Sequence, residues 1–401
     1  MGEYTCALVA HLGTLSSMQT GTLNSRTPPR TEPTSAPRVV IVADDLTGAC
    51  DSGVAFLASG RPVRVMLHPP VSDSEIECPL GAGGDIVSYT TETRNLSEEQ
   101  AGARTAEVVA AVACAGEQSI LFKKVDSAAR GNLGAETMAA LAAGNAVLAL
   151  VAPAFPQAER TVHSGILSVR DCSGQDSRIS LRDRFSGVDS ARVEVLKTAS
   201  ETELLLRIRR AIANGICILL CDADTQEDLE RLAAAGSQLQ QSLLWVGSAG
   251  LARALAGTLP VSIPETTLPR AGHRGRTLLF TGSPHPVTHL QLSRLEQQAP
   301  IEEHAVVRIA CGATSQPEIR NAFTAGPVAA LILTGGDTAA FVLKSLDASS
   351  ILLAGELAPG IPWGFVEGGM AHGCMAVTKS GGFGDRDALI RALEFCTRRS
   401  S

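Results

Sequence analysis

The stretch Ala43-Asp44-Asp45-Leu46-Thr47-Gly48-Ala49-Cys50-Asp51 sets two adjacent carboxylates, a hydroxyl and a third carboxylate directly after the apolar run Val39 to Val42. Side chains at the carboxyl end of a strand stand where open α/β sheets collect their ligands, and a carboxylate so placed can take a proton from a reacting hydroxyl. Asp45 or Thr47 could instead cap the helix-like segment that runs to Gly60, since Asp and Thr are good N-cap residues. A cap needs one such residue, and this stretch offers Asp44, Asp45, Thr47 and Asp51 together. A second polar group, Lys123-Lys124-Val125-Asp126-Ser127-Ala128-Ala129-Arg130-Gly131-Asn132, also follows a strand-like run. Its lysines, arginine and serine suit a carboxylate-bearing, hydroxyl-rich ligand; a solvated turn shaped by Gly131 and Asn132 is the competing reading. Arg94, in Thr90-Thr91-Glu92-Thr93-Arg94-Asn95, could clamp a carboxylate or simply precede a helix, and the prolines of Pro153 to Val162 read first as shaping a rigid loop around Arg160.

The second half of the chain carries a different chemistry. Thr281-Gly282-Ser283, Thr334-Gly335-Gly336-Asp337-Thr338 and Thr378-Lys379-Ser380-Gly381-Gly382-Phe383-Gly384-Asp385 each end an apolar run. Backbone N–H groups of such loops, with the helix N-termini they open, can hold phosphates. One Gly-Gly turn is weak evidence; three in one half point to a nucleotide site. Neither a P-loop nor a Gly-x-Gly-x-x-Gly after a strand occurs, so the site is of another kind and an NAD-linked dehydrogenase is disfavoured. His285 and His289 have helical spacing without a third ligand nearby and read as a partly exposed helix face.

The elements that must position these groups follow βαβ grammar from residue 38 onward. Val39 to Val42, Val63 to Leu67, Ile86 to Tyr89, Ile120 to Phe122 and Ala146 to Val151 read as buried strands. The helix from Ser97 to Ala115 opens with a Ser97/Gln100 capping box. Helices Glu201 to Asn214 and Gln226 to Ala235 alternate with strands Ile216 to Cys221 and Leu243 to Gly247, and strands Thr277 to Phe280 and Ala329 to Leu333 restart the pattern. The fold class is therefore α/β: two α/β domains with mainly parallel sheets and an interdomain cleft. Residues 1–37, rich in Ser, Thr and Pro, form an extension without a fold of their own. Residues 38–258 form the first domain, 259–275 a linker with Pro260, Pro264 and Pro269, and 276–401 the second; such a linker would let the cleft close on substrate.

With 401 residues, 45% of them hydrophobic, the chain can bury a large core. A net charge of −7 with no sustained Lys/Arg run argues against nucleic acid as a partner, and 3% aromatic residues leave little for base stacking. No apolar run has the length of a membrane span. The ten cysteines contain no Cys-x-x-Cys pair, and several sit in apolar runs, which suits free thiols in a reducing, cytoplasmic setting.

Taken together, Ala43 to Gly48 with Asp51, Lys124 to Ser127 with Arg130 to Asn132, Thr334 to Thr338, and Pro359-Gly-Ile-Pro362 leading to Thr378 to Gly384 resemble the four-carbon acid sugar kinase family. The resemblance spans roughly residues 38 to 398. It implies an N-terminal domain binding a four-carbon sugar acid, a C-terminal domain binding ATP, and phosphoryl transfer across the cleft with Mg²⁺, whose ligands it does not assign. Carried onto matching positions, it puts Asp44, Asp45, Arg94, Lys124, Asp126, Ser127 and Arg130 in the acid-sugar site, with Lys124 and Arg130 holding the substrate carboxylate. Ser283, Gly335, Gly336, Asp337, Thr338 and Gly381 fall in the ATP site, and the proton-accepting carboxylate is Asp44, Asp45 or Asp337. Two departures stand out: Ala128-Ala129 replaces the family's usual Thr-Leu, and the interval from Ser283 to Gly335 is shorter than usual. The expected partners are a small sugar acid and ATP, with no nucleic acid, no membrane and a homodimer as the possible assembly. The acid could be of the threonate, erythronate or 3-oxo-tetronate class, and a sugar-acid or nucleotide sensor without turnover remains the alternative.

Overall fold

Val39 to Ala43 are all buried, as expected of a strand enclosed on both faces of a parallel sheet. The computed structural model describes residues 37–69, 86–113, 119–170, 176–262, 274–298, 304–308 and 315–400. Residues 1–36, the core of the expected linker and half of the cysteines lie outside these ranges. Ala36–Ser401 falls in one compact unit.

The first half runs β1 (Arg38–Ala43), α1 (Leu46–Ala55), β2 (Val63–Met66), β3 (Ile86–Thr90), α2 (Glu98–Ala113), β4 (Ser119–Lys124), α3 (Leu133–Ala143) and β5 (Leu148–Ala152). It continues through β6 (Arg160–His163), β7 (Ile166–Arg170), β8 (Asp176–Ser180), β9 (Val193–Leu196), α4 (Glu201–Ala213), β10 (Ile218–Cys221), α5 (Gln226–Ser237), β11 (Leu243–Gly247) and α6 (Ala249–Ala256). The second half comprises β12 (Arg276–Thr281), α7 (Pro286–Gln298), β13 (His304–Arg308), α8 (Gln316–Thr324), β14 (Val328–Thr334) and α9 (Gly336–Ser345). It closes with β15 (Ser350–Glu356), β16 (Pro362–Glu367), β17 (Met375–Lys379) and α10 (Ala388–Ser400).

Among the described residues, fourteen strands make one sheet in the order β13-β12-β14-β17-β16-β15-β2-β3-β1-β4-β11-β5-β10-β9. All its pairings are parallel except β2–β15, β15–β16 and β16–β17. The α/β, mainly parallel expectation holds, and the two halves share their sheet: β15 pairs with β2 through Ser350↔Met66, Ile351↔Val65 and Leu352↔Arg64. One hydrophobic core likewise draws on both halves, from Val39 to Ala376, and a second, centred on Trp363 and Leu389, lies within the second half. β6, β7 and β8 form a separate antiparallel sheet.

Every residue of α1 is buried, because the helix sits where the halves meet. Its small residues permit this: a Cβ on Gly53 would come within 2.9 Å of Leu353 on β15 and 3.2 Å of Val63 on β2. Among the described residues the cysteines Cys50, Cys217, Cys221, Cys374 and Cys396 are buried and outside any disulfide, and no helix is long and apolar enough to cross a membrane.

Candidate active site between the two halves

β1 lies between β3 and β4 in the sheet, so the segments leaving these three strands meet at one crevice. They carry the three polar groups read from the sequence. Arg94, after β3, is the hub: its Nε and Nη2 donate to the two oxygens of Asp44 at 2.7 and 2.9 Å, and its Nη1 donates to Asp45 Oδ2 at 2.6 Å. The same Nη1 lies 3.8 Å from Asp126. Asp45 is a helix cap as well, accepting from the Gly48 N–H at 2.7 Å through Oδ1 and from the Thr47 hydroxyl at 2.8 Å through Oδ2. Capping and ion pairing thus share one carboxylate. Burial pushes the Asp44 carboxyl up, but the Arg94 guanidinium, with Lys123 and Lys124 behind it, holds it below its ordinary value.

The turn after β4 is built on Asp126. It accepts from the backbone N–H of Ala128 and Arg130 at 3.0 and 3.3 Å, and from Arg130 Nε and Nη2 at 2.9 and 2.6 Å. These donors outweigh its burial and hold its carboxyl well below the usual range. Arg130 is therefore engaged with Asp126 through two of its three nitrogens, while its side chain remains half exposed. Asn132 ties the same turn to the β3 segment through the carbonyls of Thr93 and Leu96. The two lysines divide. Lys123 turns inward to Glu136, 2.5 Å away, both fully buried; Lys124 Nζ has no hydrogen-bond or ion-pair partner among the described residues and faces the crevice.

In the second half, β12, β14 and β17 are neighbours, so their carboxyl-end loops converge. Cβ atoms built on Gly335 and Gly381 would lie 3.3 and 2.0 Å from Ser283 side-chain atoms, which puts one residue from each loop on one rim. Gly335 donates to the Lys379 carbonyl at 2.8 Å, and Gly336 to Ser345 form the helix the rim opens, with Thr338 buried in its first turn. Asp337 is exposed there and accepts from Asn95 at 3.0 Å across the halves; burial and the neighbouring Asp45 raise its carboxyl. His285 precedes α7, and its Nδ1 accepts from the Val287 N–H at 3.3 Å. Among the described residues no group of three or more His, Cys, Asp or Glu could hold a metal ion.

The halves come together at a small, partly open cavity. Its walls take Asp45, Thr47, Asp51, Lys124 and Ser127 from the first half and Gly360, Ser380 and Phe383 from the second. The approach is close: a Cβ on Gly336 would stand 2.3 Å from Asp45 Oδ2, so a bare glycine is what lets the first turn of α9 lie against the Asp45 carboxylate. Lys344 also pairs with Glu92 across the junction.

Three residues that sequence reasoning left aside belong to this site. Lys379, nearly fully buried, donates to the carbonyls of Ser380, Gly381 and Phe383 at 2.9, 3.2 and 3.1 Å and so winds the last glycine loop around its ammonium. Burial pushes that ammonium down to about 7. Gln291 holds the same loop through the carbonyls of Phe383, Gly384 and Asp385. Arg160 lies 5.5 Å from the centroid of the Phe383 ring. Asp51 belonged to the first motif without a role of its own, yet it lines the cavity with no hydrogen-bond partner among the described residues. Its spacing from Thr47 is the signal, since residues four apart share a helix face.

Residues 39–255 match the family described as a sugar-binding N-terminal domain, and residues 318–389 that described as a nucleotide-binding C-terminal domain. The chain is 31% identical to a D-threonate kinase of Bordetella bronchiseptica, over 90% of this chain and 98% of that one. It is 26% identical to a D-erythronate kinase of Heliobacterium modesticaldum, over 90% and 97%, and 26% identical to a 3-oxo-tetronate kinase of Pseudomonas fluorescens, over the same shares. The crystal structure of a Haemophilus influenzae protein from a family of unknown function shares the fold, with a TM-score of 0.61 and 19% identity over 89% of this chain and all of that one. With both domain families matched in order and a relative 31% identical over most of both chains that is named a D-threonate kinase, the chain belongs to the four-carbon acid sugar kinase family.

Proposed function

We propose that this chain is an ATP-dependent kinase that phosphorylates a hydroxyl of a four-carbon sugar acid of the threonate, erythronate or 3-oxo-tetronate class. The observation that carries the reading is the cavity between the halves, with Lys124, Ser127 and carboxylates on one wall and the Ser380–Phe383 loop on the other. Phosphoryl transfer needs alignment, a proton acceptor and positive charge around the γ-phosphate more than covalent chemistry from the protein. Relatives named as kinases give no support to a sensor without turnover.

In this reading residues 38–258 bind the acid and 276–401 bind ATP. Lys124, whose ammonium is unengaged, takes the substrate carboxylate. Arg130 contributes through its remaining Nη1, because Asp126 already occupies its Nε and Nη2. Arg94 acts differently from a free clamp: it fixes Asp44 and Asp45, and through them the floor of the acid site. Ser283, Gly336, Thr338 and Gly381 surround the phosphates with backbone N–H groups and the N-terminus of α9, which Gly335, its own N–H taken by the Lys379 carbonyl, opens. Mg²⁺ suits this site as a companion of the phosphates, since it is commonly held by one or two carboxylates plus substrate phosphates, and Asp337 is the carboxylate on the nucleotide side that would meet it. Once bound, it would neutralise the developing phosphate charge.

The test is ADP release from the purified chain with ATP and a panel of four-carbon acids, D-threonate first. Acid-dependent ADP formation is expected. An absence of turnover with every acid in the panel, in protein that calorimetry shows to bind both ligands, would refute the reading.

A further inference from the structure

Among the described residues, three carboxylates line the cavity: Asp45, Asp51 and Asp126. Two of them are saturated. Asp45 accepts from Arg94, Thr47 and the Gly48 N–H, and Asp126 accepts from Arg130 and two backbone N–H groups. Asp44, just behind, has both oxygens taken by Arg94. The cations that hold Asp44 and Asp126 keep their carboxyls below the ordinary value and make them poor proton acceptors. Asp337 does not line the cavity and lies exposed on α9.

Asp51 differs from all of these. It is 8% exposed, its Oδ1 is buried without any hydrogen-bond partner, and among the described residues no donor reaches either oxygen. Orphaned buried polar atoms are few in folded proteins and concentrate where they are used. The charged groups that act on it are Lys124 at the end of β4, Asp45 at the start of α1, and Arg253 on α6 paired with Glu356 of β15. Among the described residues, only Lys124 brings an unpaired cation to the same cavity.

We infer that Asp51 is the catalytic base, accepting the proton of the sugar-acid hydroxyl during phosphoryl transfer. The inference rests on the kinase reading and names the proton acceptor within it. As the hydroxyl oxygen bonds to the γ-phosphorus, its proton passes to an Asp51 oxygen. The bond from that phosphorus to the β–γ bridging oxygen breaks, and its electron pair leaves with the nucleoside diphosphate. After product release the proton returns to solvent. Burial, countered in part by Lys124, raises the Asp51 carboxyl to about 6, which makes it a stronger base than Asp44 and Asp126, whose carboxyls are held below their ordinary value, while leaving it ionised at neutral pH.

The experiment measures kcat and KM from pH 5 to 9 for wild type and Asp51→Asn, by ADP release, with whichever of D-threonate, D-erythronate and 3-oxo-tetronate the wild type turns over fastest. Asp51→Asn is expected to lower kcat by about 10²- to 10⁴-fold, with KM for acid and ATP within about three-fold, and to lack the wild type's decline in kcat below about pH 6. It should melt no lower than wild type at pH 7, because the amide keeps the shape and removes a desolvated charge. A kcat within three-fold of wild type, or an acidic limb that survives the substitution, overturns the assignment while leaving the kinase reading standing. A wild type inactive on every acid removes both. Should Asp51→Asn fail to fold, a wild-type kcat that is flat from pH 5 to 8 overturns the assignment on its own.

Discussion

Replacing Arg94 by alanine strips two buried carboxylates of their common partner. Asp44 and Asp45 are each 3% exposed, and the guanidinium that reaches them makes three hydrogen bonds of 2.6 to 2.9 Å. Removing one partner of a buried, hydrogen-bonded ion pair costs about 3–5 kcal/mol. An unfolding entropy of about 2.1 cal/mol/K per residue over a unit as long as Ala36–Ser401 translates that cost into a melting temperature about 4–7 °C lower. The sign of the pH dependence follows from Asp44. In the wild type its folded pKa is depressed, so its contribution is present above the ordinary value and is lost only in acid, as pH falls through that depressed value. In Arg94→Ala burial acts without the guanidinium, the folded pKa rises, and the variant regains stability as pH falls from 7 towards 4. The melting gap should therefore be widest near pH 7 to 8 and narrow on acidification. Differential scanning calorimetry at pH 8, 7, 6 and 5 measures it. A gap that stays constant across this range, or a variant that melts with the wild type at pH 7, refutes the account of Arg94 as the group that holds two charges in place.

Other expectations concern separate parts of the site. Lys124→Ala should weaken sugar-acid binding by about 2–5 kcal/mol, as for a buried charge losing its partner, with ATP affinity measured by calorimetry nearly unchanged; an unaltered KM for the acid would remove Lys124 from the carboxylate site. Gly335→Val forces a β-branched residue to φ 95° at the start of α9 and should abolish ATP binding while circular dichroism stays native; retained nucleotide affinity excludes this loop. Lys379→Met should free the Ser380–Phe383 loop and raise KM for ATP more than KM for the acid, and equal changes in both would argue against its loop-winding role. Glu136→Gln should destabilise the fold by about 3–5 kcal/mol, whereas the double variant Lys123→Met/Glu136→Leu should recover most of it, as buried ion pairs replaced by apolar residues commonly do; denaturant melts decide between them.

Much of this arrangement is legible in the chain because its causes are local. β1, β3 and β4 are short apolar runs ending in polar clusters, and the Ser97/Gln100 cap forms as its spacing implies, with bonds of 3.4 and 3.3 Å. What escaped notice is non-local. Nothing around Ser350–Glu356 announces that it pairs with Val63–Met66 nearly three hundred positions earlier; the start of β6 falls in the stretch read as a proline-shaped loop, and β7 and β8 follow it where the sequence carries no strand reading. Residue types alone did not separate Lys123 from Lys124, although strand alternation sends one to Glu136 and the other to the cavity. Arg130 had the composition of a free anion clamp; only the fold shows two of its three side-chain nitrogens directed to Asp126. Lys379 and Asp51 stand inside recognised motifs, and their importance lies in burial, which a motif does not state.

The short antiparallel pairing of β2 with β15 has a consequence for how the molecule can be divided. Cutting the chain between residues 262 and 274 would separate the halves covalently, yet each fragment would carry an unpaired strand border, one along Val63–Met66 and the other along Ser350–Leu352, together with the bared face of α1. Such borders are templates for further strand pairing. Fragments made apart would therefore stick to copies of themselves, whereas fragments made together would find in each other the partner each border was shaped for and rebuild the sheet without a peptide link.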